Sequence, residues 1–195
     1  ENSLEGVNDA YARIESDADI INHHFDNGVP WIEALNDQPF HTAIMADWDF
    51  RKSKANPNQK IYLSVAPLNF TRDGLAPYRG QEDNMPLPEP WSSYPFNHVN
   101  VRAAYFNYCK RIIDYFKPDY FNMNVEANVL YFNNPDLWRR FLEFHQHEYT
   151  ELKKDFPELP VFSSVAGALT LSGFYPDNDY VQQRLAVLQI LEHSD

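Results

Sequence analysis

Glycine and cysteine are scarce in this 195-residue chain, with six of the first and one of the second. Six glycines leave little room for a glycine-rich phosphate loop, and no motif of that kind is present. A lone Cys109 excludes an intrachain disulfide and a cysteine-based zinc framework; lying in a helical pattern, it reads as a small buried hydrophobe. No apolar run approaches the roughly 18–20 residues of a membrane span. Basic residues are few as well: 16 Lys and Arg stand against 28 Asp and Glu, a formal net charge of −12. A surface this acidic repels phosphate backbones and anionic lipid, which argues against nucleic acid and against a membrane as partners. No signal peptide opens the chain, and a start at Glu1 permits a processed export product, secreted or periplasmic, or an excised piece.

Aromatic side chains, by contrast, are abundant at 15% of residues, and many fall in expected loops. Loop aromatics flanked by carboxylates and amides suit sugars, whose C–H faces stack on rings while hydroxyls take polar partners. The length allows one good core, so residues 1–195 read as a single domain.

Apolar strand-like runs recur at Ala18–Phe25, Lys60–Leu68, Asp119–Glu126 and Leu159–Ala166, each followed by a helix-like stretch. Alternating strands and helices imply βα units, a parallel sheet and an α/β fold. Helices are expected near Leu4–Ile14, His98–Phe116 and Asp179–Leu191. Another is expected to open at Asn134-Pro135-Asp136, a side-chain cap with proline at the first position. Its apolar residues Leu137, Phe141, His145, Tyr149 and Leu152 recur at helical spacing. Trp48 and Trp138 lie in helical patterns and read as core. Four βα units are half of what a closed (β/α)₈ TIM barrel requires, so the chain reads as an incomplete barrel. The alternative is an open four-stranded domain. Leu191-Glu-His-Ser-Asp195 reads as a helix exit leading to a further strand. Residues 69–97 form a connection too long to be structureless in a compact domain, and their aromatics and prolines favour an ordered binding loop.

Glu126 carries the functional reading. In an α/β barrel the carboxyl ends of the strands hold the catalytic groups, and a glutamate there can act as general acid if a second carboxylate serves as nucleophile or base. Asn124 and Asn128 flank it with amides able to hold hydroxyls; a strand-end glutamate that caps a helix or pairs with an arginine is the structural alternative. The order Pro118-Asp-Tyr-Phe-Asn-Met-Asn-Val-Glu126, then Asn133-Asn-Pro-Asp-Leu-Trp138 and a long helix, resembles the fourth βα unit of the (β/α)₈ glycoside hydrolase clan. Within that clan it is most similar to endo-β-1,4-galactanase-like and related endo-glycanase families. The resemblance implies that Glu126 is the acid/base, that the nucleophile is a glutamate ending a seventh strand, and that the substrate is a β-linked polysaccharide or glycoside. Val125 stands where many of these families have asparagine, and no seventh strand lies within these residues.

Asp26, Trp31 and Trp91 complete the expected sugar contacts with Asn124 and Asn128. His23 and His24, adjacent on a strand, point to opposite faces, so at most one accompanies Asp26 in a pocket. No metal and no cofactor are expected, although a metal-dependent barrel hydrolase built on His23 and Asp26 is a third reading. The second is a catalytically inert carbohydrate-binding barrel relative. Ser163-Ser164 lacks a nucleophile-elbow motif, so serine hydrolysis is not expected.

Overall fold

A computed structural model describes residues 3–195. Four parallel strands, β1 (Ile20–Phe25), β2 (Lys60–Val65), β3 (Tyr120–Asn124) and β4 (Val161–Ser163), lie in sequence order in one sheet. Each crossover carries helix. α1 (Leu4–Asp17) precedes β1, and α2 (Trp31–Leu35) and α3 (Thr42–Lys52) join β1 to β2. α4 (Val99–Phe116) leads to β3, α5 (Val129–Asn133) and α6 (Trp138–Asp155) lead to β4, and α7 (Tyr180–Leu191) follows it. The α/β class with alternating βα units is therefore as the sequence implies.

Alternation sorts the strand residues onto two unlike faces. Ile21, His23, Phe25, Leu63, Val65, Phe121, Met123 and Val161 are buried, and the apolar ones, His23 and Ile21 aside, belong to one cluster with Trp48, Tyr105, Ile112, Phe116, Phe141, Phe144 and Ile190 from the helices. The opposite face carries Asn22, Tyr62 and Tyr120 in one register row, and His24, Ser64, Asn122 and Phe162 in the next. Asn22 and His24 are exposed, and Tyr62, Tyr120 and Phe162 are half-buried. Among the described residues no helix covers this face, although purely parallel sheets are ordinarily covered on both sides.

The helix starts follow local chemistry. Ser3, His98 and Asp179 accept backbone N–H bonds at the starts of α1, α4 and α7, satisfying donors that the first turn leaves free. Lys117 ends α4 in the left-handed region. The expected helix start at Asn134 is corrected: Pro135–Leu137 forms a 3₁₀ turn and α6 begins at Trp138. Asn134 makes no side-chain cap bond; its amide N–H donates to the Asp73 carbonyl.

Two aspartates repeat one bonding pattern. Before β3, Asp119 donates its N–H to Ile61 O and accepts the Ile61 N–H on its carboxylate. After α7, Asp195 makes the same two bonds with Val161 of β4.

Candidate functional site

The carboxyl ends of β1, β2 and β3 converge on one guanidinium. Arg72, in the loop after β2, is buried and donates to both carboxylate oxygens of Asp26, at 3.1 and 2.8 Å. Its Nη2 also lies 3.6 Å from Oε2 of Glu126. Asp26 directly follows β1 and Glu126 lies two residues past β3, so three crossovers deliver one ionic cluster. Burial pushes the Asp26 carboxyl up, but the His24 imidazole, at 3.9 Å, and the Arg72 ion pair outweigh it and hold the group below its usual range.

Glu126 is held by its backbone rather than its side chain. Its N–H donates to the Ser164 hydroxyl at 3.1 Å, and the Asn122 side chain grips Ser164 at both its N–H and its hydroxyl. Glu126 has φ +52°, and Arg72 has φ +55°. Non-glycine residues rarely occupy that region, at a cost of roughly 1–2 kcal/mol each, and such strain collects at functional sites. The Glu126 side chain is 52% exposed, so its carboxylate stands open to solvent at the rim.

The other expected contacts fall elsewhere. Asn124 does not reach the site: the register shifts between Asn122 and Asn124, and its amide bonds His145 of α6 and Ser163. A bulge re-aims a side chain in this way, and here it sends Asn124 to the helix side. Asn128 is fully buried and clamps the Ala166 backbone and the Gln183 side chain. Trp31 is completely buried, donates its indole N–H to Ala76 O and stacks on Trp91 at 5.5 Å. Trp91 is buried with it, so neither ring presents a face to a ligand. Within residues 69–97 Trp91 packs into the core instead of forming a platform. Arg79 fixes this loop through ion pairs to Asp47 and Asp83, each at 2.8 Å.

His23 and His24 part company as alternation requires. His23 is buried against Phe116, and burial lowers its imidazole to about 4. His24 lies on the open face beside Asp26. Among the described residues no group of three His, Cys, Asp or Glu side chains is placed to hold a metal ion.

The arginine that the sequence reading allowed as a partner of Glu126 is Arg72, and the part Ser164 plays in holding the Glu126 backbone was not foreseen, since no motif marks either; the rim aromatics Phe70, Phe132 and Tyr175, all exposed, were not foreseen either. Among the described residues no helix is long and apolar enough to cross a membrane. Comparison of the chain with family models, curated proteins and solved structures finds no match.

Proposed function

We propose that these four βα units are part of a (β/α)₈ barrel and that the protein is a glycoside hydrolase acting on a β-linked polysaccharide. Glu126 would serve as general acid/base, and the nucleophile would lie outside this chain. The observation that carries this reading is the convergence of Glu126, Asp26 and Arg72 at the carboxyl ends of neighbouring parallel strands, where α/β enzymes place their chemistry. The uncovered polar face of the sheet supports the barrel, because a closed barrel would turn that face inward. So does the pair of bonds by which Asp195 sits at the free edge of β4 as Asp119 sits beside β2.

Hydrolysis by the natural full-length product tests it. Reducing ends released from β-1,4-galactan, β-mannan and xylan are followed for the protein and for Glu126→Gln. Loss of an acid/base group lowers turnover by about 10²–10⁴-fold, with oligosaccharide affinity retained. Turnover of all three polymers within a factor of about three of the unmodified protein, from the Gln variant, would falsify the assignment.

One observation favours a second reading, a carbohydrate-binding relative without turnover. Known catalytic acids sit buried in apolar surroundings, whereas Glu126 is half exposed and faced by Arg72. On this reading Glu126 accepts bonds from sugar hydroxyls, and the full-length product binds glycans without cleaving them.

A further inference from the structure

Asn27 and Gly28 form the only asparagine–glycine pair in the sequence, and it lies between Asp26 and the buried Val29. Glycine puts no Cβ beside its own nitrogen, so that nitrogen can approach the side chain before it more closely than in other pairs. The fold fixes this glycine. Gly28 has φ +98°, and a Cβ there would meet the Pro77 carbonyl oxygen at 2.8 Å. A larger residue does not fit at position 28, so the pair is built into the connection between β1 and α2.

The two groups that would react are untethered. The Asn27 side-chain oxygen is buried without a partner, and among the described residues neither its amide nitrogen nor the Gly28 N–H bonds another protein atom. An amide with no hydrogen bond to hold it is free to turn toward the next nitrogen. The main chain around the pair is, by contrast, stitched down. Asn27 O accepts the Asn84 N–H at 3.1 Å, and Val29 bonds Pro77 O and the Arg79 N–H at 2.9 and 3.0 Å. These three bonds seat residues 77–84, Arg79 among them, against the end of β1.

We propose that Asn27 is a site of spontaneous deamidation in the folded protein, and that the product loosens the seating of residues 77–84. The Gly28 nitrogen loses its proton to hydroxide and attacks the side-chain carbonyl carbon of Asn27. A C–N bond forms, and ammonia leaves after taking a proton from water. One water then opens the five-membered imide. Opening at the side-chain carbonyl gives aspartate; opening at the main-chain carbonyl gives isoaspartate, with one extra methylene in the backbone. Either product adds a carboxylate next to Asp26, where one guanidinium already serves Asp26 and Glu126. Isoaspartate also turns the carbonyl that receives the Asn84 N–H into a carboxylate, and it shifts Val29 relative to Pro77 and Arg79. The reaction needs neither substrate nor enzyme, so it is independent of what the protein binds or cleaves.

The test follows the peptide that contains Asn27 by mass spectrometry while the folded protein ages at pH 7 and at pH 9, with a urea-unfolded sample beside it. Expected is a gain of one dalton at Asn27, part of it as isoaspartate, faster at pH 9 because the attacking nitrogen must lose its proton. The rate should exceed that at the exposed Asn58 and Asn133, whose successors carry side chains, by about tenfold or more. In the aged protein the amides of Arg79 and Asn84 should exchange hydrogen up to about tenfold faster, the effect of one lost net hydrogen bond. Asn27→Gln, which would need a six-membered ring for the same attack, should keep both its mass and its exchange pattern. Conversion in urea but none in the folded protein overturns the proposal, as does conversion no faster than at Asn58 and Asn133. Conversion with unchanged exchange at Arg79 and Asn84 overturns the loosening. Faster exchange on ageing in Asn27→Gln overturns it too, since the cause would then lie elsewhere.

Discussion

Replacing Arg72 by methionine probes the centre of the site, because this side chain is the common partner of Asp26 and Glu126. The guanidinium is 5% exposed and the Asp26 carboxylate 17%. Removing one member of a fully buried pair costs about 3–5 kcal/mol, chiefly because the other charge is left unpaired. Asp26 retains some water and His24 at 3.9 Å, so a loss of about 2–3 kcal/mol is expected at neutral pH. Backbone strain cancels from the comparison, since methionine at φ +55° is no more comfortable than arginine. The pH dependence makes the test specific. Asp26 is held below its usual range in the folded protein, so its contribution is present above the unfolded carboxylate value of about 3.9. It is lost as pH falls through the lower, folded value. In the variant the Arg72 ion pair is gone and His24 alone opposes burial, so the same group is held down less. The stability difference between the two proteins must therefore shrink on going from pH 7 to pH 3. Urea unfolding at both pH values measures it, and a difference that stays constant, or one under about 0.5 kcal/mol at pH 7, refutes the account.

Two buried titratable groups outside the site give further predictions. Glu148 of α6 is fully buried with one carboxylate oxygen unpartnered, and burial pushes it up to about 7 against the opposing pull of His147. Its folded value lies above the unfolded one, so the native state loses stability as pH rises from the unfolded value toward 7. Glu148→Gln should stabilise the protein at pH 8 relative to pH 5 by about 3 kcal/mol at most, and a thermal melt showing equal effects at the two pH values would count against it. His23 has the opposite sign. Both ring nitrogens lack partners and burial lowers it to about 4, so stability falls as pH drops from its unfolded value of about 6.5 toward 4. His23→Leu should raise the melting temperature more at pH 5 than at pH 8, removing an unsatisfied group worth roughly 1–3 kcal/mol; a melting temperature lowered at pH 5 contradicts this.

The elements were legible where one physical rule dominates. Pro118 and Asp179 punctuate helices, the β1 pattern alternates, and of the expected stripe Phe141, His145 and Leu152 are buried while Leu137 and Tyr149 are half-buried. Site membership was less legible, because it depends on where side chains turn after the strands end. Asn124 stands two residues from Glu126 in sequence, yet one register shift sends it to the opposite side of the sheet. Trp31 and Trp91 have the composition of a sugar platform, but burying two indoles against each other in a small core competes with displaying them, and burial prevails. Arg72 is invisible in any local pattern: its partner Asp26 is 46 residues away, and the pairing exists only because the sheet sets β1 beside β2. Long-range charge pairing of this kind cannot be read from spacing.

The proposed barrel would give a common cause to three features. The first is the uncovered row of Asn22, Tyr62 and Tyr120, polar and aromatic where a covered parallel sheet would be aliphatic. The second is the set of apolar residues left in water on the outermost helices: Leu4, Val7 and Ile14 on α1, and Val181, Leu185 and Leu188 on α7, each at helical spacing. The third is the bonding shared by Asp119 and Asp195. Asp119 is followed by a strand that pairs with β2. A strand in the corresponding place after Asp195 would pair with the free edge of β4 and begin to curl the sheet around its polar face. Further helices would then cover α1 and α7, removing apolar surface from water on both flanks at about 25 cal/mol per Å². An open four-stranded domain would need other cover for these surfaces and for its two parallel edges.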